Sequence, residues 1–70
     1  MINPLDAYRE AGEKAGRAQK QRLAADYDFH RRWFNKARDL EKPENLAAVK
    51  AAWDEGYKLG NPAPTVAYFR

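Results

Sequence analysis

The chain contains no cysteine, no serine and a single histidine, and each shortage closes off a chemistry. Without cysteine there is no disulfide to staple the fold and no thiolate to hold a metal. His30 alone cannot supply the paired imidazoles of a zinc site. Thr65 is the only hydroxyl outside tyrosine, so nucleophilic triads lose their usual members. Asp54 and Glu55 are neighbours on a predicted helix and point in different directions, which disfavours a paired-carboxylate acid/base site. The run Asp26-x-Asp28-x-His30 opens like a calcium loop, but Arg31 stands where that loop needs glycine and Ala37 where it needs glutamate. The reading is of a protein that is not an enzyme and takes neither metal nor cofactor. No apolar run approaches the roughly 20 residues of a membrane span, and Met1-Ile2-Asn3-Pro4 lacks the basic start of a signal peptide. These features predict a soluble, cytoplasmic protein.

What is present is a short chain rich in aromatics and charge. Seventy residues make one domain, 13% aromatic and 33% charged, which is too rich in large apolar groups for a disordered segment. A core of that size is thin, so a partner or a second copy of the chain is a natural source of extra stability.

Two segments echo each other. Ala7-Tyr8-Arg9-Glu10-Ala11-Gly12-Glu13-Lys14-Ala15-Gly16 is answered by Ala52-Trp53-Asp54-Glu55-Gly56-Tyr57-Lys58-Leu59-Gly60, an aromatic followed by two glycines four apart. Glycine costs about 1 kcal/mol against alanine inside a helix, so helices that keep it need a bare backbone face for close approach. The surrounding charges exclude the membrane use of this spacing. The pattern predicts that the two segments pack on each other, with Tyr8 and Trp53 in the core.

The expected fold is all-α, a small bundle of two to three helices over residues 1–60 with an extended, Pro-containing tail over 61–70. Asn3-Pro4 opens a first helix from about residue 4 to about residue 24, on a stripe of Leu5, Tyr8, Gly12, Ala15 and Leu23. Opposite charges four apart, Arg9/Glu13, Glu10/Lys14 and Glu13/Arg17, support it. Asp26 and Asp28 offer carboxylate caps for a second helix through Phe29, Trp33, Phe34, Ala37 and Leu40. No glycine or proline lies between Gly16 and Pro43, so one long helix over residues 4–42 is the alternative. Pro43 ends the second helix and can open a third, with Glu44 favourable in its first turn or Asn45 as its cap; that helix runs through Leu46, Val49, Trp53, Gly56 and Gly60, and Gly60-Asn61-Pro62 stops it. Leu5, Tyr8, Leu23, Leu46, Val49, Trp53 and Leu59 are the predicted core. The tail, with Val66, Tyr68 and Phe69, is expected to fold back over a core edge or to dock on another molecule.

Charge is unevenly spread. Residues 14–38 carry Lys14, Arg17, Lys20, Arg22, Arg31, Arg32, Lys36 and Arg38 against only Asp26 and Asp28, between acidic flanks. Such a middle attracts phosphate or an acidic protein surface, and it equally suits a solvated helix face. Tyr27, Phe29, Trp33 and Phe34 fall within the same region. Aromatics threaded with arginine are enriched at protein interfaces and also suit stacking on unpaired bases. The candidate partner-binding residues are therefore Phe29, Arg31, Arg32, Trp33, Phe34, Lys36 and Arg38, with Trp33 and Phe34 as anchors. For RNA they are Arg17, Lys20, Arg22, Arg31 and Arg32.

At Ala7-x-x-x-x-Gly12-x-x-Ala15-Gly16 and at Ala52-Trp53-x-x-Gly56-Tyr57-x-x-Gly60 the chain resembles the ribosome modulation factor family, small basic helical proteins. That resemblance implies an all-helical fold and binding to ribosomal RNA and protein so as to hold ribosomes inactive. The Ala-Trp-Asp-Glu-Gly-Tyr phrase is also similar to short accessory proteins of bacteriophages, many of which occupy a surface on a host machine. The leading expectation is a binding protein that modulates or inhibits a larger protein or complex by occupying its surface. An RNA- or ribosome-binding modulator, and a structural component of a larger particle, are the alternatives.

Overall fold

The computed structural model describes residues 4–62 and shows an all-α fold of three helices, with no strand among the described residues: α1 (Pro4–Lys20), α2 (Ala24–Asp39) and α3 (Leu46–Gly60), the last preceded by a 3-10 turn at Pro43–Asn45. Pro4 occupies the first turn of α1, where no main-chain N–H is needed, and Asp6 in that turn faces the positive end of the helix dipole. The Asn3 cap and the tail, whose predicted fold-back falls on residues 63–70, lie outside the described residues.

α1 and α3 run parallel, and α2 returns between them in sequence. The echo between the two glycine segments becomes a symmetrical contact. Each glycine lies against the carbonyl oxygen of the residue three places before its counterpart: Gly12 on Trp53, Gly16 on Tyr57, Gly56 on Arg9 and Gly60 on Glu13. A Cβ at Gly56 would also stand 2.7 Å from the Arg9 carbonyl carbon and 2.9 Å from the Glu13 nitrogen. The approach is close enough for Cα–H groups of one helix to meet carbonyls of the other.

This closeness decides what the core is made of. Backbones in contact leave no room between them for leucine, so the α1/α3 seam is made by the glycines, and the small side chains of Ala11, Ala15 and Ala52 are buried beside it, Ala11 on the side of α2. Large side chains gather on the third side, where Tyr8, Phe34, Val49 and Trp53 are buried and Leu5, Tyr27, Ala37 and Tyr57 pack against them. The predicted core is corrected accordingly. Tyr8, Val49 and Trp53 are buried and Leu5 is partly so, whereas Leu23, Leu46 and Leu59 are exposed.

The single long helix does not form. α1 stops at Lys20 rather than near residue 24, because Arg22 turns into the left-handed region at φ 61°. The Leu23 N–H then donates to the Ala18 carbonyl at 2.8 Å and the Arg22 N–H to the Gln19 carbonyl at 3.1 Å, the paired bonds of a Schellman end. α2 starts at once, with Leu23 at its N-cap and no side-chain cap. Asp26 and Asp28 are therefore not caps. Asp26 sits in the first helical turn, and Asp28 meets Arg32 at 2.8 Å. α2 ends at Asp39, before Pro43, which opens the 3-10 turn; Asn45 precedes α3 without capping it.

Of the predicted α1 ion pairs, Glu13–Arg17 forms at 2.8 Å. Arg9 instead takes Asp6 at 2.5 Å and crosses to Glu55 of α3 at 2.9 Å. The Glu55 hydrogen bond is the main influence raising the Arg9 pKa.

Candidate functional site

Helical geometry divides the aromatic and basic segment of α2 into three strips. Adjacent residues differ by about 100° around the axis, so Trp33 and Phe34 cannot share a face. Phe34 turns inward and is 3% exposed. Its ring stacks on Trp53 at 4.3 Å and meets Tyr8 edge-on at 6.0 Å. The pairing of Trp33 with Phe34 as surface anchors is corrected: Phe34 is core, and Trp33 stays at the surface.

The outward strip is Phe29, Trp33 and Leu40, which fall within about 40° of one another around the helix. They are 67%, 41% and 85% exposed. Trp33 is braced from behind by Tyr8, the ring centroids 5.5 Å apart, while Phe29 leans edge-on against His30 at 5.2 Å. Arg32 and Lys36 flank the strip and are exposed. Between this strip and α1 runs an open groove of about 210 Å³, lined by Ala7, Ala11 and Lys14 on one side and by Phe29, His30 and Trp33 on the other. A braced indole beside a half-open groove is a preorganised apolar anchor, since little side-chain freedom remains to be lost on binding.

The inner edge of α2, facing α3, carries Arg31 and Arg38. Both are half-buried, with guanidinium carbons 6.0 and 5.6 Å from the Phe34 ring centroid; Arg31 is also 5.9 Å from that of Trp53. Of the seven candidate partner-binding residues, the structure thus groups Phe29, Arg32, Trp33 and Lys36 on the outside and Arg31, Phe34 and Arg38 on the inside. Leu40 completes the outer strip and was not among the sequence candidates; its spacing of eleven residues from Phe29 was the available signal.

The RNA candidates do not converge. Arg17 is held by Glu13 and Arg32 by Asp28. Arg17 shares a groove with Lys14, Gln21, Asp26 and His30. Lys20 and Arg22 are exposed at the α1 end, and Arg31 lies over the rings on the far edge of α2. The chain's carboxylates have already neutralised part of the basic middle that composition suggested.

Tyr8 links the helices on the other side of the core. Its hydroxyl donates to Glu41 Oε2 at 2.8 Å, and burial, followed by this hydrogen bond and the Glu41 charge, pushes its pKa up to about 12. Tyr57 similarly donates to Gln19 across the α1/α3 seam. No group of three or more His, Asp or Glu side chains that could hold a metal ion gathers among the described residues, and no helix there is long and apolar enough to cross a membrane.

The fold and surface define a small all-helical domain with an aromatic strip on its second helix. No family model matches the chain, and no curated protein or solved structure matches it.

Proposed function

We propose that the protein is a non-enzymatic binding protein that modulates or inhibits a larger protein or complex by covering part of its surface, and that Phe29, Trp33 and Leu40 are the anchors. The observation that carries this reading is the exposure of three large apolar side chains in one strip, flanked by Arg32 and Lys36, on a domain whose core is small. A small domain that leaves these three side chains outside gains by placing them in a partner's pockets. The basic flanks add steering and register more than affinity. RNA binding is the weaker reading, because the cations it needs are dispersed and partly paired within the molecule.

The test is affinity capture from the native host with the natural protein and with a Phe29→Ala, Trp33→Ala, Leu40→Ala variant, each with and without nuclease and across a salt series. The expected result is a specific protein partner retained after nuclease treatment and at moderate salt, lost in the triple variant while helical content and melting are little changed. Capture abolished by nuclease, with affinity falling by orders of magnitude over moderate salt, would instead establish the RNA reading.

A further inference from the structure

The inner edge of α2 holds a polar group of a different kind. Arg31, Asn35 and Arg38 recur at intervals of four and three and so fall within about 60° of one another around the helix. Arg9, Arg17 and Arg32 each have a carboxylate within 2.9 Å. Arg31 has none within ion-pair distance among the described residues, and Arg38 only Asp39 at 4.0 Å. Their guanidiniums are held in place by the Phe34 and Trp53 rings instead. Between them on the helix, the Asn35 side-chain oxygen is buried and has no hydrogen-bond partner among the described residues.

We propose that this Arg31, Asn35, Arg38 edge is a binding site for carboxylate groups on an acidic segment of a protein partner. A guanidinium resting on an aromatic face keeps its planar edge of N–H donors free for a fork-like bond to a carboxylate. With that oxygen turned inward, the Asn35 amide NH2 is the accessible end and supplies a further donor between the two arginines. The surroundings favour a short acidic segment over a long nucleic-acid backbone. Asp39 adjoins Arg38, so an anion that runs on past the arginine pair on that side meets an acidic neighbour. The site goes beyond the outer strip and does not depend on it, since the two occupy different edges of α2.

The experiment is a titration of the full chain with a hexaglutamate peptide, followed by NMR of the arginine Nε–H and tryptophan indole resonances. Parallel titrations use inorganic phosphate and a short oligouridylate. The expected result is saturable movement of the Arg31, Arg38 and Trp53 resonances by hexaglutamate. Affinity should fall at least tenfold in an R31Q/R38Q variant and severalfold in R31K/R38K, which keeps charge and ring contact but loses the planar fork. The F29A/W33A/L40A variant should bind hexaglutamate as the natural protein does, so failure of the outer-strip reading would be seen separately. If hexaglutamate leaves these resonances still, or R31K/R38K binds it unchanged, the proposal is overturned. It is equally overturned if oligouridylate or phosphate saturates the same resonances at lower concentration.

Discussion

The Phe34 ring lies 4.3 Å from the Trp53 indole with the planes 27° apart, which joins the second helix to the third through side chains rather than through backbone contact. Phe34→Ala removes one half of that stack and opens a void at the centre of the core. A loss of about 3–5 kcal/mol is expected, enough to erase the cooperative transition of so small a domain. Phe29→Ala, five residues earlier on the exposed strip, should change stability by no more than about 0.5 kcal/mol. Urea denaturation of both variants measures the contrast. Equal effects would show that the division of α2 into inner and outer faces is mistaken.

The glycine seam predicts an inversion of the usual propensity order. At a free helix position, Gly→Ala stabilises by about 1 kcal/mol. At Gly56 the added methyl would enter the α1 main chain near Arg9 and Glu13, and the two helices must separate to admit it. Gly56→Ala should therefore destabilise by about 1–3 kcal/mol. Thermal melts decide the sign, and a raised melting temperature would rule out the close seam.

Tyr8 gives the fold an alkaline limit. Its hydroxyl is protonated more firmly in the folded state, near 12, than at its ordinary value of 10. The stabilisation is complete below pH 10 and declines as pH rises toward and through the folded value, by on the order of 2 kcal/mol for a shift of this size. Tyr8→Phe should remove this part of the alkaline loss, leaving a flatter stability profile above pH 10. Chemical denaturation at stepped pH tests it, and parallel profiles for the two proteins would contradict the assignment.

The glycine seam was legible in sequence because glycine inside a helix is costly, and its repetition in two segments needs a structural reason. The identity of the buried residues was only partly so. Leu23, Leu46 and Leu59 read as core by hydropathy, yet the close α1/α3 approach is made by the glycines, the small residues buried beside it are Ala11, Ala15 and Ala52, and those leucines stay outside. Hydropathy ranks side chains singly and does not know the distance between helices. The candidate surface followed the same rule. Phe29 and Trp33 could be named from the sequence, but separating them from Phe34 required knowing which side of α2 meets Trp53. Asn35 carried no signal at all until its oxygen proved buried and unpartnered.

The boundary between α1 and α2 was the least legible feature, and it yields the last prediction. A helix end of the Schellman type asks for glycine at the left-handed position, and this chain places Arg22 there at φ 61°. The periodic pattern runs on through Leu23 without a glycine to mark the stop, so the end is imposed by the packing of α2 on α1 and not by local preference. Holding a non-glycine residue in that region costs about 1–2 kcal/mol, part of which glycine gives back through the greater freedom of its unfolded chain. Arg22→Gly should accordingly stabilise the protein by about 0.5–1 kcal/mol, whereas Arg22→Val, branched at Cβ, should destabilise it. The comparison with Arg22→Ala removes the effect of charge, since alanine shares the cost of the left-handed turn. If glycine and alanine at this position melt together, the turn is not left-handed, and α1 continues toward residue 24 as hydrophobic periodicity alone suggested.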